Sequence, residues 1–188
     1  QFKKDLDALG DVSELDVYIN SSGGDIFAGQ AIHTMLKRHS ATVTVHVDGL
    51  AASIASVIAM AGDKIVMPKG SMMMIHEGMI GLIGYLNAGK LRKYADEIEK
   101  ITDSVVVPAY ERSALTVDEI KEMMAAETWL SAEEAVEMGF ADEIEEGRAV
   151  AASISDRVLT INGLDVDIGQ FKRVPSEFLN MVKPKEPP

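Results

Sequence analysis

The stretch Gly49-Leu50-Ala51-Ala52-Ser53-Ile54-Ala55-Ser56-Val57-Ile58-Ala59-Met60-Ala61-Gly62 decides the fold. It is small and apolar, with two hydroxyls and no charge. Ahead of it, Ala41-Thr42-Val43-Thr44-Val45-His46-Val47 alternates β-branched residues and reads as a strand. After Ala52 every face is apolar, so a helix there is buried throughout. Ser53 falls at the strand-to-helix turn, where N–H groups lack an intrahelical partner and the helix dipole favours negative charge. Two readings fit that position. Ser53 is a nucleophile whose oxyanion those amides stabilise, or it is simply an N-cap.

The pattern continues outward. Residues 15–20 form a short strand, and Ser21-Ser22-Gly23-Gly24 is a turn whose glycines permit positive φ or close approach of a ligand or backbone. Asp25 opens a helix with Ile26, Ala31, Ile32, Met35 and Leu36 at helical spacing. Strand, glycine turn, helix, strand, helix is the order of a parallel sheet with crossover helices. Functional groups of such sheets gather at the carboxyl ends of strands, where both Gly23-Gly24 and Ser53 lie. Residues 2–9 read as the end of an amphipathic helix closed by Gly10.

Downstream, residues 64–67 and 71–76 read as two strands around Pro68-Lys69-Gly70, with the methionines as core and His76 closing the second. The glycine-spaced apolar segment 79–84 reads as an exposed hairpin. A long helix follows from residue 85 to about 107, with Leu91, Tyr94, Ala95, Ile98, Ile101 and Val105 on one stripe and Pro108 kinking or ending it. Such a protruding element is expected to pack on another subunit. Gly84 to Leu91 nearly spells a phosphate loop but has Leu91 where a magnesium-binding hydroxyl belongs. Thr116 with Glu119 and Ser131 with Glu134 make two capping boxes, the second opening a helix that ends at Gly139. Residues 140–144 read as the last strand of the main fold. The expected organisation is a domain over 1–145 and an extension over 146–188. The extension carries a hairpin around Asn162-Gly163 and a flexible Pro/Lys-rich tail over 183–188.

Composition bounds the function. At 188 residues the chain suits one domain with a real core. A net charge of -12 weighs against a general nucleic-acid binder. No run approaches the roughly 20 apolar residues of a membrane span, and no signal peptide is visible. Zero cysteines exclude disulfides, thiolate catalysis and cysteine-zinc sites. The chain begins at Gln1 rather than Met, so upstream residues are expected to have been removed or left off.

Four motifs in order carry a resemblance: Ile19-Asn20-Ser21-Ser22-Gly23-Gly24, Gly49-Leu50-Ala51-Ala52-Ser53, Met74-Ile75-His76 and Leu130-Ser131-Ala132-Glu133-Glu134-Ala135. Together, over residues 15–144, they resemble the Clp protease proteolytic subunit (ClpP) family. The continuation after Glu145 is more similar to its phage branch, the head maturation proteases. The resemblance implies an α/β ClpP/crotonase-like fold with repeated β-β-α units and a protruding handle helix. It implies a serine endopeptidase with Ser53 as nucleophile, His76 as general base, and the Gly23 and Ile54 amides as oxyanion hole. The family's aspartate comes three residues before the Leu-Ser-Ala motif; here that position is Glu127, with Asp142 and Asp103 as fallbacks. His33, His39 and His46 are expected to be surface or packing residues.

The resemblance further implies a polypeptide substrate, a ring-like homo-oligomer joined through the handle, an external ATPase partner and a cytoplasmic, phage- or prophage-linked setting. No cofactor, metal, nucleic acid or membrane is expected. Two alternatives stay open: a crotonase-type acyl-CoA enzyme on the same fold, and a catalytically inactive structural subunit.

Overall fold

A computed structural model describes residues 1–146, 150, 152–155, 158–171 and 173–176. Its first half runs α1 (Phe2–Ala8), β1 (Glu14–Ser21), α2 (Ile26–Lys37), β2 (Thr42–Ala52), α3 (Ile54–Ala59), β3 (Lys64–Pro68) and β4 (Met72–Ile75). Then come α4 (Ala88–Ile101), a π-helical turn (Thr102–Val106), a 3₁₀ turn (Val107–Tyr110), α5 (Val117–Ala125), β5 (Thr128–Ser131), α6 (Ala132–Glu137) and β6 (Glu143–Glu145). The strands β7 (Ala152–Ser155), β8 (Val158–Ile161) and β9 (Leu164–Asp167) follow. The expected tail over 183–188 lies outside the described residues.

The long strand β2 organises the sheet. Along one side it pairs in parallel with β1 from Glu14↔Thr42 to Ser21↔Ala51, with a register shift between Ile19 and Ser21. Its other side is shared between β3, opposite Thr44 to His46, and β4, opposite Leu50 to Ala52. β6 joins β3 in parallel, and β5 closes the other end antiparallel to β4. The pairing of β2 thus passes from β3 to β4 between His46 and Leu50, and β2 ends at Ala52, just ahead of Ser53.

Alternation gives the sheet two buried faces. Val43, Val45, Ala51, Met73, Ile75 and Leu130 point to the core under the helices. Leu50, Ala52, Met72, Met74 and Trp129 point the opposite way, where Leu159, Ile161, Val166 and Phe171 cover them. The small antiparallel sheet β7-β8-β9 is thus packed onto the main sheet. Asn20 ties the two together. Its side chain donates to the Ile161 carbonyl (2.8 Å) and accepts from the Leu50 N–H (3.1 Å). At Gly49 a side chain would overlap Ile161 and Asn20, so glycine is what lets the hairpin sit this close.

Several boundaries differ from the sequence reading. Residues 79–84 form no strand: the segment from Glu77 to Asn87 is irregular, because its glycines resist regular structure and it has no neighbouring strand to bond. The helix begins at Ala88, where the Asn87 side chain accepts from the Lys90 N–H (2.9 Å). It departs from α geometry at Thr102, ahead of Pro108. The expected strand over 140–144 begins only at Glu143, since Phe140 is a buried turn residue. Both capping boxes form as read.

Gly29 in α2 faces Ile54 at the start of α3, and a Cβ there would overlap the Ile54 side chain. Gly29→Leu should therefore overpack the contact and destabilise the protein by about 1–3 kcal/mol. A thermal melt should read this as a fall of roughly 2–4 °C per kcal/mol at this chain length. An unchanged Tm would mean the helices separate without cost.

Candidate active site

Ser53 takes φ 56° and ψ −131°, a conformation that L-residues rarely adopt. Its N–H still donates to the Met74 carbonyl (2.9 Å), so β2 remains paired with β4 up to the serine before the chain turns into α3. The hydroxyl makes no capping bond to α3. It points instead at His76, with Oγ 2.7 Å from Nε2. Between the two readings of Ser53, the side-chain geometry favours the nucleophile arrangement: a hydroxyl hydrogen-bonded to an imidazole can lose its proton as it attacks.

The strained turn is held from below. Ser56 Oγ donates to the Ser53 carbonyl (2.5 Å) and lies 2.7 Å from the Tyr110 hydroxyl. Ser56 and Tyr110 are both buried. Burial pushes the Tyr110 phenol well above its ordinary pKa, against an opposing effect of the Ser56 bond, so it stays a neutral partner. Sequence reasoning missed this pair. Ser56 was visible three residues after Ser53, one helical turn on, but nothing in the sequence linked Tyr110 to it.

Gly23 borders the serine from the other side. It has φ 98°, and a Cβ on it would lie 2.7 Å from Ser53 Cβ and 2.8 Å from the Ala52 carbonyl oxygen. Its N–H donates to Ser21 Oγ at 3.2 Å, a long bond. The Ile54 N–H belongs to the first turn of α3, which has no intrahelical acceptor.

A cavity of about 120 Å³ opens on this cluster, walled by Ile26, Ser53, Ile54, His76, Met79 and Val106. A second, of about 370 Å³, shares Gly24, Ile26, Gly78 and Met79 with it and continues to Phe27 and Ile98. Together they make a groove with mainly apolar walls past the serine. A further cavity of about 400 Å³ lies beyond His76, between α4 and α5 around the Asp103–Lys121 ion pair, and touches neither Ser53 nor His76.

Glu127 is buried in the turn between α5 and β5, at φ 52°. One of its carboxylate oxygens accepts from the Arg173 backbone N–H at 2.8 Å. The antiparallel register of β4 and β5 ends at Ile75↔Thr128. Carried one residue further, it sets Glu127 opposite His76. The fallback acids are engaged elsewhere. Asp142 accepts from both Arg112 and the Ile65 N–H, and Asp103 pairs with Lys121 at 2.7 Å.

The other histidines lie apart from the cluster. His33 is on α2, its pKa lowered by burial and then by Lys37. His39 Nδ1 accepts from the Ala41 N–H (3.1 Å). His46 stacks on Tyr18 and lies 3.0 Å from Asp16. Among the described residues, no group of three or more His, Cys, Asp or Glu side chains is arranged to hold a metal ion. Nor is any helix among them long and apolar enough to cross a membrane.

The family model described as Clp protease matches residues 5–148. The chain belongs to the Clp protease family. It is a serine peptidase by that membership, on the α/β fold described above. An ATP-dependent Clp protease proteolytic subunit of Deinococcus radiodurans is 33% identical over 142 residues, 74% of this chain and 68% of that protein. Proteins of the same description from Bacteroides fragilis and Leuconostoc citreum are each 32% identical over 142 residues, covering 74% of this chain and 67% and 70% of theirs. The matched residues of this Clp protease chain include Ser53, His76 and Glu127 but stop short of β7, β8 and β9.

Gly23→Ala should force Ser53 and the Gly23 turn apart, because the added methyl meets Ser53 Cβ and the Ala52 carbonyl, while the Ser53 and His76 side chains keep their chemistry. Displacing a reacting group by about 1 Å can cost roughly 10²-fold in rate. A peptidase assay with an unchanged far-UV spectrum should therefore show kcat/KM down by that order. Wild-type turnover would mean that the turn accommodates a methyl.

Proposed function

We propose that the chain is a serine endopeptidase working through Ser53, His76 and Glu127 inside an oligomeric chamber. The observation that carries the reading is the 2.7 Å bond between Ser53 Oγ and His76 Nε2 at the end of a groove. Ser53 Oγ attacks the scissile carbonyl carbon as His76 Nε2 takes its proton. The oxyanion that forms is stabilised by the Gly23 and Ile54 amides, each such donor contributing about 3–4 kcal/mol in well-studied cases. His76 then delivers the proton to the leaving amine, and water, activated in turn by His76, hydrolyses the acyl-enzyme. Glu127 orients the imidazole and stabilises its protonated form. The register beside His76 supports that role. The Ser–His bond also favours this reading over a crotonase-type site, which has no use for it, and over an inactive subunit.

Assembly is inferred from surface chemistry. Ile83 and Tyr85 are fully exposed, and Met79, Ile80, Leu82 and Leu91 about half so. They follow one another along the irregular segment and the start of α4, and exposed apolar side chains concentrated in this way are of the kind that marks an interface. We read it as the contact through which copies of the chain form a ring, with the active sites facing an enclosed space. The names of the relatives support an ATPase partner that feeds polypeptide to this space. The same proposal places the chain in the phage head maturation branch and in a cytoplasmic setting, and divides it near residue 145, the division alone being supported by the family match, which stops at residue 148 ahead of β7.

A fluorophosphonate probe should label the protein on Ser53, as read by peptide mapping, and Ser53→Ala should lose labelling and about 10⁴–10⁶-fold in turnover. Labelling of Ser21, Ser22 or Ser56 would overturn the assignment. Glu127→Gln should lower kcat sharply with little change in KM, because the imidazolium it stabilises develops in the transition state. Near-normal turnover by this variant would remove Glu127 from the mechanism.

Leu82→Asp with Ile83→Asp places charge where a ring contact would bury it, at one fully and one partly exposed position of the single chain. Light scattering should show the wild type as an oligomer and the double variant as a monomer. A fully active wild-type monomer at micromolar concentration would refute the chamber.

A further inference from the structure

We propose that the C-terminal segment is a positioning strap for the active site, with the Arg173 backbone N–H holding the Glu127 carboxylate toward His76. The inference rests on the reading of Glu127 as the acid partner of His76 and adds a residue to that machinery from outside the family match. The family model ends at residue 148, whereas the donor comes from residue 173.

The local geometry carries the idea. Glu127 occupies a left-handed backbone conformation, fixed by its own N–H donating to the Met124 carbonyl (3.0 Å) and by Thr128 Oγ1 donating to the Met123 carbonyl (2.7 Å). Those bonds set the backbone but leave the side chain its rotamers. A glutamate has one more rotatable bond than an aspartate, so orienting its carboxylate has a larger entropic cost. The 2.8 Å bond from the Arg173 N–H to Oε1 restricts that freedom.

The donor is itself anchored. Trp129, two residues after Glu127, meets Phe171, two residues before Arg173, edge to face at 5.2 Å. Further back, Leu159, Ile161 and Val166 pack on the sheet face that carries Leu50, Met72 and Met74. The Asn20 bond to Ile161 ties the same hairpin to the strand leading into the Gly23 turn. One continuous apolar contact thus sets the distance between the two sides of the site. The strap acts through Glu127 and touches neither substrate nor the serine.

Arg173→Pro, made in the full chain and assayed in its assembled form, removes the N–H of this bond together with the arginine side chain and fixes φ there. On a peptide substrate, kcat should fall about 10- to 100-fold with KM within about twofold. Arg173→Ala keeps the amide and should recover most of that loss. Trp129 is the single tryptophan of the chain, so its emission reports whether the strap is still docked. Unchanged emission with reduced kcat supports the proposal; unchanged emission with wild-type kcat overturns it.

If the proline variant undocks the strap, a second measurement decides. Hydrogen exchange at the Arg173 amide should quicken at least about tenfold in Glu127→Ala, where the acceptor is gone. Equal exchange in the two proteins would overturn the proposal whatever the kinetics. The underlying reading fails separately: Glu127→Gln with normal turnover removes the acid role. Inactive Glu127→Gln beside fully active Arg173→Pro would leave that role intact and remove the strap alone.

Discussion

The structure depends on holding Ser53 in a backbone conformation that its side chain disfavours. Such a residue costs on the order of 1–3 kcal/mol and persists only where its surroundings over-determine it. Here they do so from three directions. The Met74 carbonyl fixes its N–H, the buried Ser56 hydroxyl fixes its carbonyl, and Gly23 leaves no room for the turn to relax sideways. In return the hydroxyl is turned out of the helix and onto His76. The apolar, small-residue run from Gly49 to Gly62 is what makes this possible. Ala51, Ala52 and Ala55 are buried with almost no exposed surface, and larger side chains there would separate the strands that clamp the turn.

The central part of this arrangement was legible because it is local. Alternating β-branched residues, a glycine turn and an all-round apolar run each specify a neighbouring element, so the parallel sheet and the positions of Ser53 and His76 could be read along the chain. Both capping boxes were equally readable, since Thr116 and Ser131 bond residues three positions away. The methionines of β4 were correctly read as core, and they divide between the two faces of the sheet.

What escaped the sequence is what long-range packing decides. The π turn at Thr102–Val106 falls within a stripe that looks uniformly α-helical. Its Thr102 hydroxyl accepts from the Gly78 N–H at 3.2 Å, a contact between segments with no shared pattern. The apolar spacing of residues 79–84 imitates a hairpin, but with no strand beside it the segment stays irregular. Tyr110 beneath Ser56 and Arg173 beside Glu127 are likewise joined only by tertiary structure. Their sequence neighbourhoods carry no mark of it.

The second apolar face of the sheet has a consequence for the chain as it is made. Leu50, Met72, Met74 and Trp129 leave the ribosome well before Leu159, Ile161 and Phe171, which cover them. At translation rates of about 5–20 residues per second, that face waits uncovered for several seconds. During that interval the nascent protein exposes a greasy sheet surface of the kind that draws chaperones or recruits other unfinished chains. A fragment ended at the family boundary would keep that surface bare permanently. The segment that follows the family match is therefore the one that closes over this surface.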